Sequence, residues 1–338
     1  MKLRVGLVGL GRVWEKRHRS ALRALSERFE VRAICEQVAH RAEKAASDFD
    51  ADTVDGYQAL VRRDDIDAIL MLSPQWFGTL PIHAACESGK AIYCAAAMDL
   101  SSEDATNVRR RVEKAGIAFM VEFPRRLAPA TLRLKELIVT QLGKPRLLFC
   151  HVRLPHASKD GGMNTDAVVM RELTELVDWC HYVVGSSPTT VVSNGRPSND
   201  ARGGYRMMSV DFASTTADEE NCDESPMAQI SCGNYMPNHW LEAPSYRLPT
   251  GLQVICEHGV AFVDLPSTLV WFNDAGRHVE SLESETPVGE QLLAQFHRSV
   301  TSLLRSTADL ENAHLAIECV LAAEKSRVEG CRVKIDPV

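Results

Sequence analysis

Arg171, Glu175 and Asp178 stand at helical spacing and bring one guanidinium and two carboxylates onto a single helix face, because positions i, i+4 and i+7 share a side. Glu175 there has the chemistry of a general base, with Arg171 gripping an anionic group of a substrate. The plainer reading is an Arg171–Glu175 ion pair without further purpose, since such i,i+4 pairs are common. A second set opens the chain. The apolar stretch Leu3–Val8 runs into Gly9-Leu10-Gly11, then Arg12, Val13 and a helix-compatible segment. Gly9 permits a tight turn, Gly11 lets backbone approach a pyrophosphate, and the following helix N-terminus offers free N–H groups. Glu36 ends the next apolar strand, Phe29–Cys35. An acidic residue at that place suits the hydroxyls of an adenosine ribose and repels a 2′-phosphate. NAD is therefore the expected cofactor and NADP the lesser one, with Arg41 in favour of the latter.

These residues need a scaffold, and up to about residue 122 the chain alternates strand and helix. Ser20–Arg28 and Ala39–Asp48 are helical in period, and Ile66–Leu72 reads as a buried parallel strand. Ser73, Pro74 and Gln75 follow at its carboxyl end, where a dinucleotide is expected to pass. Trp76 and Phe77 come next and suit stacking on a ring or packing in the core. Ile82–Ser88, strand Ala91–Cys94, helix Ser102–Ala115 and strand Ile117–Glu122 complete the unit. Apolar strands separated by helices predict a parallel, doubly wound sheet: a Rossmann dinucleotide-binding domain over residues 1–122.

Residues 123–338 read differently. Helix Ala130–Gln141 leads to strand Arg146–Leu154, a polar loop, and helix Ala167–Val184. Between residues 189 and 280 short strands alternate with Gly and Pro turns, then helices Glu290–Leu304 and Leu310–Val328 close the chain before a last strand. The expected fold class is α/β: a Rossmann domain plus an α/β domain with an open, mainly antiparallel sheet. Ser214–Glu224 is acidic and Ser/Thr-rich, a loop by composition.

Composition narrows the function. The chain has 338 residues, is 45% apolar and 25% charged, and carries a net charge of −7. That balance, without a basic cluster, argues against nucleic acid and against an anionic membrane surface. No apolar run reaches the ~20 residues of a membrane-spanning helix. Met1-Lys2-Leu3 leads directly into a core strand, so no signal peptide is expected. The 10 cysteines lie mostly in apolar stretches, with no Cys-x-x-Cys pair and no zinc spacing, which predicts buried reduced thiols, a cytoplasmic setting and no metal.

The order of elements resembles the glucose–fructose oxidoreductase / inositol dehydrogenase family (Gfo/Idh/MocA). The resemblance rests on Gly6-Leu-Val-Gly-Leu-Gly-Arg12, Asp65-Ile-Asp-Ala-Ile69 and Ala84-Ala-Cys-Glu-Ser-Gly-Lys90, then on Phe123-Pro-Arg-Arg-Leu-Ala-Pro129 and Ala322-Ala-Glu-Lys-Ser-Arg-Val-Glu-Gly330. It implies NAD(P)-dependent oxidation of sugars, cyclitols and related alcohols, a pocket beside the long helix of the second domain, and a homodimer or higher homo-oligomer through the open sheet. It also exposes departures. Where the resemblance places a Glu-Lys-Pro turn, the chain reads Cys94-Ala95-Ala96-Ala97. Its usual Asp and His on the long helix are Arg171 and Glu175, the Gly between them is Leu173, and Trp14 takes the third place of the glycine fingerprint. An alanine accepts no proton and a guanidinium is a poor general base. Two expectations follow: an oxidoreductase with altered chemistry using Glu175, Arg171 and Asp178, or a non-catalytic sensor or assembly protein that keeps the fold. Arg125 and Arg126 suit a phosphate or carboxylate, or a structural ion pair. Glu172 is expected to face away from the Arg171–Glu175 side. His181 is expected to be structural, and Asn238-His239-Trp240 to line the pocket.

Overall fold

In the computed structural model the described residues are 2–11, 13–73, 77–96, 100–155, 165–196, 204–214, 225–236, 242, 251–283, 286–302 and 308–335. Contacts divide the chain into two units. The first comprises Met1–Pro124 together with Glu285–His314; the second comprises Arg125–Ser284 with Leu315–Val338. The chain thus returns to its first unit late, a step that element order alone does not announce. Packing explains it: Phe296, on helix Val288–Thr301, lies edge-on to Tyr93 at 5.4 Å, and His297 meets Phe29 at 5.6 Å.

The first unit holds six strands: β1 (Leu3–Val8), β2 (Phe29–Cys35), β3 (Asp52–Thr53), β4 (Ala68–Met71), β5 (Ala91–Cys94) and β6 (Phe119–Val121). Their order is β3-β2-β1-β4-β5-β6 with parallel pairings throughout, the doubly wound arrangement expected from the sequence. Every residue of β4 and β5 is buried, as parallel strands covered on both faces require. The helices carry ordinary local signals. Ser101 caps Ser102–Ala115 by accepting the Asp104 N–H at 3.1 Å, and Gly116 closes the helix in the left-handed region. The helix after the glycine turn departs from expectation. Residues Trp14–His18 form a wide π turn and only Arg19–Ala24 is α-helical, so the helix expected over Ser20–Arg28 ends early.

The second unit is built on β7 (Pro145–Pro155), β8 (Pro188–Arg196), β9 (Tyr205–Phe212), β10 (Met227–Met236), β11 (Leu252–Cys256), β12 (Gly259–Asp264), β13 (Thr268–Asn273), β14 (Gly276–Ser281) and β15 (Val333–Lys334). The sheet order is β14-β13-β12-β11-β7-β10-β9-β8-β15, antiparallel except for the β7–β10 pair. Side chains alternate along it: Leu148 and Cys150 are buried, whereas Phe149 between them is 38% exposed. On the buried face Ala228, Ile230, Val254 and Ala261 join a core with Leu173, Leu176, Val177 and Trp179 of the long helix Thr165–Val184. That core includes Leu173, so its bulk goes into packing. Among the described cysteines none is disulfide-bonded and seven are buried, with burial pushing thiols such as Cys35 up to about 11. No helix among the described residues is long and apolar enough to cross a membrane.

Candidate functional site

In the first unit the carboxyl ends of β1, β2 and β4 converge on the glycine turn. Gly9 has φ +72°, and its N–H bonds Cys35 O at 2.7 Å, tying the turn to the end of β2. A Cβ on Gly9 would meet Ser73 Cβ at 2.6 Å, and one on Gly11 would meet the Leu72 carbonyl oxygen at 2.0 Å. Both glycines are therefore needed for backbone to pass the end of β4, and Ser73 is brought against the turn as expected from its place. Val13 precedes the π turn. Arg12, Pro74 and Gln75 lie outside the described residues, as does Trp76. Phe77 packs edge-on against Tyr57 at 6.2 Å and serves the core.

Glu36 reaches back to this turn. Its Oε2 accepts the Leu10 N–H at 2.6 Å and its Oε1 accepts the Val38 N–H at 3.3 Å, with the side chain 8% exposed. Arg41 closes the other side: Nη2 donates to the Leu10 carbonyl, while Nη1 stands 3.9 Å from Glu36 Oε2. Trp14 is buried against Phe49, centroid to centroid 5.9 Å, so its bulk goes into the layer formed with helix Ala39–Phe49. Its N–H is taken by Gly11 O at 3.1 Å. The free helix N-terminus of the sequence reading is thus modified, because the first turn consumes one of its own donors.

A cluster that the sequence reading did not single out lies in the same unit. Glu122, fully buried at the end of β6, accepts from Arg17 Nη1 at Oε1 and from the Tyr93 hydroxyl at Oε2, 3.0 Å away. His18 Nε2 lies 2.9 Å from the same Oε2. Burial, with Arg17 beside it, pushes His18 down to about 3, so the neutral ring donates Nε2–H to the carboxylate. The signal available was Glu122 itself, an acidic residue ending an apolar strand.

In the second unit the long helix presents its acidic residues to Arg125 and Arg126. Arg125 donates to Glu175 Oε2 through Nη1 and to Glu172 Oε1 through Nη2. Arg126 grips Asp178 with two N–H groups, Nε to Oδ2 at 2.7 Å and Nη2 to Oδ1, and Asp178 is 1% exposed. Burial opposes the charge on Arg125, yet Glu172 and Glu175 outweigh it and hold the guanidinium above its ordinary range. Glu172 therefore does not face elsewhere: a forked side chain reaches carboxylates three residues apart. Arg171 Nε donates weakly to Ala167 O at 3.3 Å. Of the candidate trio, Glu175 and Asp178 are thus drawn to neighbouring arginines. His181 is pushed down to about 4 by burial, then by Arg126 and Lys135, which suits a neutral structural ring. Residues 238–240 lie outside the described residues, and no metal-ligating cluster occurs among those described.

At the end of β5 the described residues of the turn are Ala95 and Ala96, without a titratable side chain. The arrangement in the first unit fits a dinucleotide: a glycine turn packed against Leu72 and Ser73 with no room for a Cβ, beside a carboxylate fixed by backbone donors. The arrangement in the second unit is an ion-pair lattice.

Residues 3–123 match the family described as "Oxidoreductase family, NAD-binding Rossmann fold". The chain is 25% identical over 193 residues to an uncharacterized oxidoreductase, YrbE, of Bacillus subtilis, 56% of each chain. It is also 25% identical over 197 residues to inositol 2-dehydrogenase of Rhizobium meliloti, 57% of this chain and 58% of that one. The chain thus spans little more than half the length of these curated relatives. Its backbone is similar to that of aldose-aldose oxidoreductase from Caulobacter crescentus complexed with glycerol, with a TM-score of 0.82 at 12% identity over 99% and 100% of the two chains, a likeness of fold.

Proposed function

We propose, for a chain that belongs to the Gfo/Idh/MocA oxidoreductase family, that it binds a nicotinamide dinucleotide, NAD in preference to NADP, without the family's usual proton acceptor. Gly9, Gly11, Val13, Ser73 and Glu36 would hold the dinucleotide, together with Arg12, Pro74 and Gln75. When bound, such a cofactor supplies hydride acceptance or donation. The protein's own part is to seat the pyrophosphate on the glycine turn, hold the adenosine ribose at Glu36, and orient a polyol of sugar or cyclitol type, the class named for its inositol-oxidising relative.

The observation that carries the loss of the proton acceptor is the pairing of all three acidic residues of the long-helix face with arginines: Glu172 and Glu175 with Arg125, Asp178 with Arg126. A carboxylate whose oxygens are directed at a guanidinium is poorly disposed to take a proton. With alanines at 95 and 96, ordinary dehydrogenase chemistry is lost and dinucleotide binding remains. One feature favours a residual enzyme: the Glu175 side chain is 22% exposed, against 1% for Asp178, which leaves Glu175 as the substitute base with Arg171 as anion grip.

The test is NADH formation from NAD with myo-inositol and D-xylose, in wild type and in Glu175→Gln. The expected result is NADH binding at roughly micromolar concentration without turnover in either protein. Turnover in wild type that Glu175→Gln abolishes would overturn the loss of catalysis and install Glu175 as the base.

The open face of the second sheet supports a homodimer. Phe149, Val192, Met227, Phe272 and Val279 stand exposed on its strands. Phe149→Asp should halve the mass seen by sedimentation. Unpaired thiols among the described cysteines support a reducing, cytoplasmic setting.

A further inference from the structure

We infer that Glu122 is a positioning residue for the dinucleotide seat, clamping from the end of β6 the π turn that follows the glycine turn; this rests on the dinucleotide reading above. The first sheet is parallel throughout, so the carboxyl ends of β1 and β6 lie along one edge. The Glu122 N–H extends that edge by donating to Cys94 O at 2.8 Å. Arg17 and His18, consecutive in the chain, both donate to the Glu122 carboxylate. Consecutive side chains on an α-helix diverge by about 100°. The wider Trp14–His18 turn has more residues per revolution, which narrows that angle and brings both to one acceptor.

Backbone carries the clamp to the seat. The Arg17 N–H donates to Val13 O at 2.8 Å and the Trp14 N–H to Gly11 O at 3.1 Å. Fixing Arg17 therefore fixes Val13 and Gly11, beside which the pyrophosphate would lie, and a seat already in shape binds without the cost of ordering it. Helix Val288–Thr301 holds the arrangement from outside. A Cβ on its Gly289 would meet Arg17 Cγ at 2.7 Å, so helix and turn touch where a glycine stands. Phe296 of the same helix covers Tyr93, whose hydroxyl donates to Glu122 Oε2. His18 is buried, and its Nδ1 has no partner among the described residues. A buried nitrogen left unpaired is a cost, borne here because Nε2 is committed to the carboxylate. The rival role for Glu122 is packing alone, a polar knot to which the glycine turn is indifferent.

The experiment is calorimetric titration of the full chain with NADH, alongside urea unfolding of each protein. Wild type is compared with Glu122→Gln, Arg17→Met, Arg17→Lys and Leu148→Ala, the last a core truncation in the second unit. Glu122→Gln and Arg17→Met should each lose about tenfold in NADH affinity while folded. Arg17→Lys restores a cation and should recover at least about threefold of that loss. Leu148→Ala should lower the urea midpoint yet bind NADH within about twofold of wild type. Arg17 is part-exposed, so its variants report even if Glu122→Gln does not fold. Folded Glu122→Gln or Arg17→Met binding as wild type does would identify a packing knot and overturn the proposal. An Arg17→Lys as weak as Arg17→Met, or an equal loss in Leu148→Ala, would overturn it too. In each of these cases wild type binds NADH and only this inference fails. If wild type does not bind NADH, the dinucleotide reading fails and this inference with it.

Discussion

Carboxylates serve opposite purposes in the two units. Glu36 in the first is held by the N–H groups of Leu10 and Val38, with the Arg41 guanidinium 3.9 Å off rather than in bonding contact, so its orientation is fixed mainly by backbone. Glu172, Glu175 and Asp178 in the second are matched by Arg125 and Arg126. Backbone donors orient an anion; a guanidinium in direct contact neutralises it. Two acidic sites of similar appearance in the sequence thus divide into one suited to binding and one suited to holding the fold together.

The sharpest way to break this contrast is to remove a partner from each side. Asp178→Asn leaves the part-buried Arg126 facing a neutral amide and should cost about 3 kcal/mol in urea unfolding, because breaking a largely desolvated ion pair from one side is severe. A loss well below that would mean the lattice is not structural. Acid should next separate the units. His18 titrates near 6.5 in the unfolded chain and about 3 in the fold, so the unfolded state binds the proton first. Stability should fall by up to ~1.4 kcal/mol per pH unit as pH drops from 6.5 toward 3, and His18→Gln should flatten that slope in a pH series of urea midpoints. An unaltered slope would remove His18 from the account. The smallest effect is expected for Glu175→Gln. Glu172 still engages Arg125 and the site is part-exposed, so unfolding should shift by about 1 kcal/mol or less.

What the sequence made legible follows from these distances along the chain. Strands β4 and β5 are continuous apolar runs because they are buried on both faces, β1 is one but for Arg4, and Gly9, Gly11 and Glu36 belong to one local βαβ unit. The partner of Glu175 is 50 residues away, so helical spacing proposed its neighbour Arg171 when a distant Arg125 had the better reach. Glu172 was turned the wrong way for the same reason. The π turn at Trp14–His18 has no composition signature, and Trp14 looked like an intruder at the cofactor turn until Phe49 supplied its packing partner. Glu122 gathers Arg17, His18 and Tyr93 from three separate stretches, a convergence that pattern reading along one element does not reach.

The most direct test of the central claim, that the first unit keeps a working dinucleotide seat, is calorimetric titration of wild type and Gly11→Ala with NADH. A Cβ on residue 11 would sit 2.0 Å from the Leu72 carbonyl oxygen, so the turn must move in that variant. Saturable binding by wild type that Gly11→Ala loses, with the variant still folded by circular dichroism, is the expected result. No binding by wild type, or equal binding by both, would contradict it.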